Sequence, residues 1–154
     1  MAVAPTSTLV DLYRERYDPM VRLAYLLVGD RSVAEELVQD SFVKVHHHWP
    51  DVEHPKAYLR TTVVNSCRSW GRRHTRERDH QQRRLEAVPD PELVTDEMWD
   101  ILATLPEKQR TAIVLRFYED LPEAEIAAVL GCRPNTVRTL VHRGLAALRK
   151  EVAR

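Results

Sequence analysis

Glycine is scarce in this chain, with four in 154 residues, and there are only two cysteines and two phenylalanines. No glycine-rich loop is present to cradle a phosphate. Cys67 and Cys132 stand far apart with no second cysteine near either. That spacing excludes a CxxC redox or zinc motif and predicts buried or half-buried free thiols in a reducing compartment. Runs alternating Val, Ile or Thr with polar residues are also missing, so no sheet is predicted and the fold class is all-α. The longest uninterrupted apolar run, residues 23–28, is far too short to cross a bilayer. The opening residues, MAVAPTSTL, have neither a basic stretch nor a long apolar one; no export signal or membrane insertion is predicted, and a cytoplasmic location is expected. Paired carboxylates, a nucleophile beside a base and metal-ligand spacing are all lacking, which argues against an enzyme and against a bound cofactor.

Net charge is absent as well, since 23 basic residues balance 23 acidic ones. An electrically neutral protein is not expected to bind DNA tightly on its own. The balance is uneven along the chain, however. Residues 1–59 sum to −3, 60–84 to +6, 85–132 to −8 and 133–154 to +5. Two basic blocks separated by an acidic one suggest two nucleic-acid-facing surfaces.

The second basic block lies in the most informative stretch, residues 121–154. Pro122 suits the start of a short helix containing Ile126, Ala127, Val129 and Leu130, and Gly131 sits where that helix must stop. Pro134 opens a longer helix in which Val137, Val141, Leu145, Leu148 and Val152 form one apolar stripe. The opposite face holds Asn135, Arg138, Thr139, His142 and Arg143. This is the layout of a helix-turn-helix, whose second helix enters the major groove. A helical hairpin with a merely solvated polar face is the alternative, but five Arg and one Lys against one Glu between residues 133 and 154 favour a phosphate-facing surface.

In the first half, Thr8 with Asp11 resembles a capping box, and Asp18-Pro19 predicts a kink or a break into two helices before Gly29. Ser32 with Glu35 signals the next helix. Its buried face is Ala34, Leu37, Val38, Phe42, Val45 and Trp49, leaving Glu35, Glu36, Gln39, Asp40, Val43 and Lys44 outside. An acidic face of this kind is either simply solvated or a docking surface for a positively charged partner. His46, His47 and His48 point about 100° apart in a helix and cannot converge on one metal ion. Pro55 starts a basic helix with an inner stripe of Leu59, Val63, Cys67 and Trp70, and Gly71 is expected to let the chain turn. Arg60, Asn65, Arg68, Arg72, Arg73, Arg76 and Arg78, with Trp70, together read as a single-strand platform, with core packing the competing reading for Trp70 and a solvated loop that for the arginines.

Residues 76–94 are polar and aperiodic and read as a flexible linker. Thr95 is expected to cap a helix with Met98, Ile101, Leu102 and Leu105 inward, and Pro106 to open another with Ile113, Val114 and Phe117 inward. The predicted organisation is therefore two small helical domains, 8–75 and 95–154, the second a four-helix domain containing the helix-turn-helix.

The two halves together resemble the extracytoplasmic-function, or group IV, sigma factors of bacterial RNA polymerase, in the sigma-70 family, and within them the short sigma-E-like actinobacterial branch. AEELVQDSFVKV is similar to the family's region 2.2. Leu105-Pro106, Gln109-Arg110, Leu115-Arg116, Glu119, Leu121, Glu125-Ile126-Ala127, Gly131 and Thr136-Val137 are similar to its region 4 signature. The resemblance implies a promoter-specificity subunit that binds the polymerase core enzyme and promoter DNA, duplex and single-stranded, with an anti-sigma factor as a further partner. Glu36, Gln39 and Asp40 would then dock on the polymerase. Asn65, Arg68, Trp70, Arg72 and Arg73 would hold the melted minus-ten strand. Arg133, Asn135, Thr136, Arg138, Thr139, His142 and Arg143 would face the minus-thirty-five duplex. Arg133, Asn135 and Leu140 depart from the residues frequent in the family at those positions, which bears on the bases read and not on the groove geometry. A stand-alone helix-turn-helix regulator with an N-terminal dimerisation or sensor domain remains the competing function.

Overall fold

The computed structural model describes residues 8–74 and 96–153, and among them every regular element is helical. The linker assigned to 76–94 and the Thr95 cap lie outside the described residues. Helix α1 spans Leu9–Val28 and begins with the capping box expected: the Asp11 amide donates to the Thr8 hydroxyl at 3.1 Å, and the Thr8 amide to the Asp11 carboxylate at 3.2 Å. Gly29 ends it at φ 76°, with its N–H donating to the Tyr25 carbonyl. Of the kink or break expected at Pro19, the break into two helices does not occur, and α1 runs through the proline. A mid-helix proline costs about 3 kcal/mol, and the buried residues that follow (Met20, Val21, Leu23, Ala24, Leu26, Leu27) contribute more than that.

Helix α2, Arg31–His47, is capped by Asp30, whose carboxylate accepts from the Val33 amide, and not by Ser32. Glu35, the expected capping-box partner, instead pairs with Arg31 at 2.9 Å. The inward face is as expected, with Trp49 half-buried in a short 3₁₀ turn, Trp49–Asp51. Helix α3, Pro55–His74, starts at the proline and buries Leu59, Val63, Val64 and Cys67. It continues through Gly71, where a turn was expected. Cys67 and Cys132 are free thiols, and burial pushes the Cys67 pKa well up, so its thiolate is not accessible.

The second half comprises α4 (Asp96–Leu102), α5 (Glu107–Ile113), a π-helical turn (Val114–Tyr118), α6 (Glu123–Leu130) and α7 (Pro134–Val152). Three inward assignments fail here: Met98, Phe117 and Val152. In α4 Trp99 is buried with Leu102, while Met98 is exposed. Phe117 is 57 % exposed because the π turn, closed by the Glu119 amide on the Val114 carbonyl, inserts a residue and rotates the register. Pro106 and Pro122 are the caps of α5 and α6 and not their first helical residues. Along α7, Val137 is fully buried and Val141, Leu145 and Leu148 are half-buried, but Val152 projects into solvent.

Helices α1, α2 and α3 pack on one another, and α7 packs across α4, α5 and α6. The two groups are not separate: α1 meets α4 and the π turn, and α3 meets α5 and α6, so the buried side chains form one continuous core. At Gly144 the backbone of α7 reaches closest to α5, where an added Cβ would lie 2.9 Å from Ile113 Cγ1. Gly144→Ala is expected to destabilise the chain by about 1–3 kcal/mol in denaturant titration through overpacking, although alanine favours helix. An unchanged midpoint would show that Ile113 gives way freely.

Candidate nucleic-acid and polymerase interfaces

The helix-turn-helix is built by local chemistry. Gly131 takes φ 71° and closes α6 by donating to the Ala127 carbonyl, and Pro134 supplies the preset φ that opens α7. Val137 then anchors α7 in the core. Around it Arg133, Asn135, Thr136, Arg138, Thr139, His142 and Arg143 are all exposed on one connected surface. Arg133 holds the cap position, where its donor-only guanidinium cannot accept from the helix amides, and its side chain is exposed. The Thr139 hydroxyl donates to the Asn135 carbonyl. Arg138 makes a two-point contact with Glu123 of α6, Nη2 to Oε1 at 3.1 Å and Nε to Oε2 at 3.4 Å.

On α3, Asn65, Arg72 and Arg73 are exposed, and Arg72 donates to the Ser69 hydroxyl. Trp70 is half-buried, packs against the core and stacks on His74 with centroids 4.3 Å apart. Arg68 differs from its neighbours. Its side chain is only 12 % exposed and its Nε donates to Glu107 Oε2 at 3.0 Å, so in this arrangement it faces α5 and not solvent. The Thr111 hydroxyl, 2.9 Å from the same carboxylate oxygen, holds Glu107 in place.

Glu36, Gln39 and Asp40 are exposed on α2. Beside them lies a partly open aromatic cluster that sequence reading missed: Tyr13 packs on Tyr17 and Phe42 with centroids 4.9 Å apart, and Gln39 donates to the Tyr17 hydroxyl. Val10 and Tyr13 of α1 and Val43 of α2 are large apolar residues left exposed. Asp40 also shares a groove with Lys44, Asn65, Ser69 and Arg73, so the acidic face and the basic helix meet along one edge.

A further cluster joins the halves. Glu119, with its side chain 8 % exposed, lies 3.7 Å from both Arg16 and Arg60, and Arg60 reaches Glu125 at 3.6 Å. With Arg68–Glu107, every cation comes from the first half and every anion from the second. Arg60 and Arg68 belong to the +6 block and all three glutamates to the −8 block, so part of the basic block read as nucleic-acid-facing is turned toward the second half. Nearby, burial lowers the Arg110 pKa while Glu107 opposes the shift, and the guanidinium lies over the Trp99 ring at 5.1 Å. No described helix is long and apolar enough to cross a membrane.

Comparison with known proteins agrees with this architecture. Residues 12–77 match the family described as Sigma-70 region 2, and residues 95–148 match Sigma-70, region 4. The chain is 33 % identical to the RNA polymerase sigma-E factor of Streptomyces coelicolor, over 90 % of this chain and 82 % of that protein. It is 26 % identical to the RNA polymerase sigma factor SigV of Bacillus subtilis, over 95 % and 92 % of the two chains. Among solved structures, the sigma factor RpoE in complex with the anti-sigma factor NepR from Bartonella quintana superposes with a TM-score of 0.71 at 25 % identity, covering 93 % of this chain and 97 % of that one. CnrH, in complex with the cytosolic domain of CnrY, shares the fold with a TM-score of 0.72 at 21 % identity, over 94 % and 87 %. With both sigma-70 regions present in order and a sigma-E relative aligned over nearly the whole chain, this protein belongs to the extracytoplasmic-function sigma factors of bacterial RNA polymerase.

Proposed function

We propose that the protein acts in the cytoplasm as a promoter-specificity subunit with no catalysis of its own, and that its duties divide along the chain. Residues 8–75 dock on the polymerase core through Glu36, Gln39 and Asp40 and hold the melted minus-ten strand with Asn65, Trp70, Arg72 and Arg73. Residues 76–94 act as the linker, and residues 95–154 place α7 in the major groove of the minus-thirty-five element. Arg68 joins the minus-ten surface once Glu107 gives it up. Melting follows from capture of unstacked bases, whose binding offsets the lost pairing. An anti-sigma factor is a further partner in this reading, since the Bartonella quintana relative is seen in complex with one.

The observation that carries the reading is the segregation of charge on exposed helices: an acidic face on α2 and separate basic faces on α3 and α7. Run-off transcription with purified core polymerase tests it. Promoter-dependent transcripts should appear only when the protein is added, and a protein that shifts duplex DNA unaided but never associates with core would reject the proposal. Asp40→Ala should weaken core association by about threefold to tenfold, because an exposed charge at an interface rim contributes modestly. Unaltered affinity would remove α2 from the docking role.

A further inference from the structure

Of the three arginines exposed on the recognition face of the helix-turn-helix, Arg138 alone has a carboxylate partner among the described residues; Arg133 and Arg143 have none. The partner, Glu123, is the first residue of α6 and fifteen positions away in sequence, so the contact bridges the two helices of the motif. Pro122, the α6 cap, offers no side-chain hydrogen bond, and the Glu123 carboxylate takes the favourable place at that helix end. The two-point contact occupies the Nε and one Nη2 hydrogen of Arg138. Both Nη1 hydrogens and the second Nη2 hydrogen stay available, and that outer fork is the edge an arginine uses on guanine O6 and N7. The contact also favours the charged form of Arg138.

We propose that Glu123 is a specificity-determining positioning residue. Its carboxylate orients the Arg138 guanidinium with the outer fork toward a base edge and offsets its charge, so that Arg138 discriminates between bases instead of adding sequence-independent phosphate affinity. Arg133 and Arg143, which lack such a partner, supply that phosphate affinity. The inference rests on α7 being the minus-thirty-five reader. It assigns to α6, which need not touch DNA, a share in the choice of base.

The test uses the full chain at low salt with a pool of short duplexes randomised across one major-groove turn. The enriched duplex, its single base-pair variants and an unselected duplex then serve as probes. Wild type, Glu123→Gln, Arg138→Ala and the double variant are compared. Arg138→Ala should relax preference at one base pair. Glu123→Gln should relax preference at that same base pair by about tenfold and bind the unselected duplex several-fold more tightly, with a salt dependence steeper by about one counterion. In the Arg138→Ala background the Glu123→Gln change should alter neither quantity.

Persistence of the Glu123 effect without Arg138 would mean that the carboxylate merely supports α6, and the proposal fails. It fails equally if Arg138→Ala relaxes the preference while Glu123→Gln leaves both preference and salt dependence unchanged. If the wild type enriches no sequence and Arg138→Ala has no effect, the groove-reading assignment itself falls, and the proposal with it.

Discussion

Replacing Gly29 by valine is expected to uncouple the two halves of the molecule. Gly29 closes α1 at φ 76°, where a β-branched residue is strained by roughly 1–2 kcal/mol. The larger effect is steric. A Cβ at this position would lie 2.1 Å from Cε2 and 2.4 Å from Nε1 of Trp99, far inside contact distance. Trp99 is 3 % exposed and belongs to α4, a helix of seven residues too short to persist without its packing. Either the indole leaves its site or α1 shifts, and exposing a buried aromatic side chain forfeits about 2–3 kcal/mol more. The expected loss is therefore about 3–5 kcal/mol, measured by denaturant unfolding, together with a larger hydrodynamic radius. Helices α1 to α3 should keep their helical signal, because their mutual packing does not involve Trp99. Gly29→Ala should fall in the same direction, since the first added carbon already makes the clash. A variant with wild-type stability and dimensions would show that Trp99 does not rest on the end of α1. Separation should also free Arg68 from Glu107, so the same variant is expected to bind single-stranded DNA more tightly than wild type.

Arg138→Ala is expected to lower discrimination at one promoter base pair by about tenfold to a hundredfold, the loss typical of a bidentate arginine contact. Its side chain is 69 % exposed, so no comparable loss of folding stability should accompany the change. The contrast with its neighbours makes the result diagnostic. Arg133→Ala and Arg143→Ala should weaken binding to all duplexes alike and flatten the salt dependence by about one counterion each. Promoter competition assays with single base-pair substitutions across the minus-thirty-five element separate the two patterns. An unchanged preference in Arg138→Ala would remove it from base reading.

Much of the architecture is legible in the sequence because it depends on short-range rules. The Thr8 capping box, the left-handed glycines at 29 and 131, the proline starts at 55 and 134 and the inner faces of α2 and α3 each follow from residues within a turn or two of one another. The exposed faces of α2 and α7 follow from the same periodicity. The readings that differ share another cause. Pro19 has a known local cost, but only the burial of the residues after it decides whether the helix survives. Asp30 and Ser32 are both competent caps, and the geometry of the α1–α2 turn selects Asp30. Phe117 turns outward because a π turn changes the period, and a uniform 3.6-residue pattern cannot register one inserted residue. Met98 and Trp99 are adjacent apolar residues in a short helix, and which faces inward depends on the space that Gly29 leaves.

Composition, charge order and helical period were sufficient to specify an all-helical chain with an acidic face and two basic faces, while the two sigma-70 regions were legible only as a resemblance of short motifs to that family. All of these are properties of neighbouring residues and their spacing. The tertiary structure alone decided that the basic α3 and the acidic second half meet, so that Arg68 lies on Glu107, and that α7 crosses α6 with Arg138 on Glu123. Those pairs join residues 39 and 15 positions apart, and which opposite charges find each other over such distances is set by helix packing, not by local propensity.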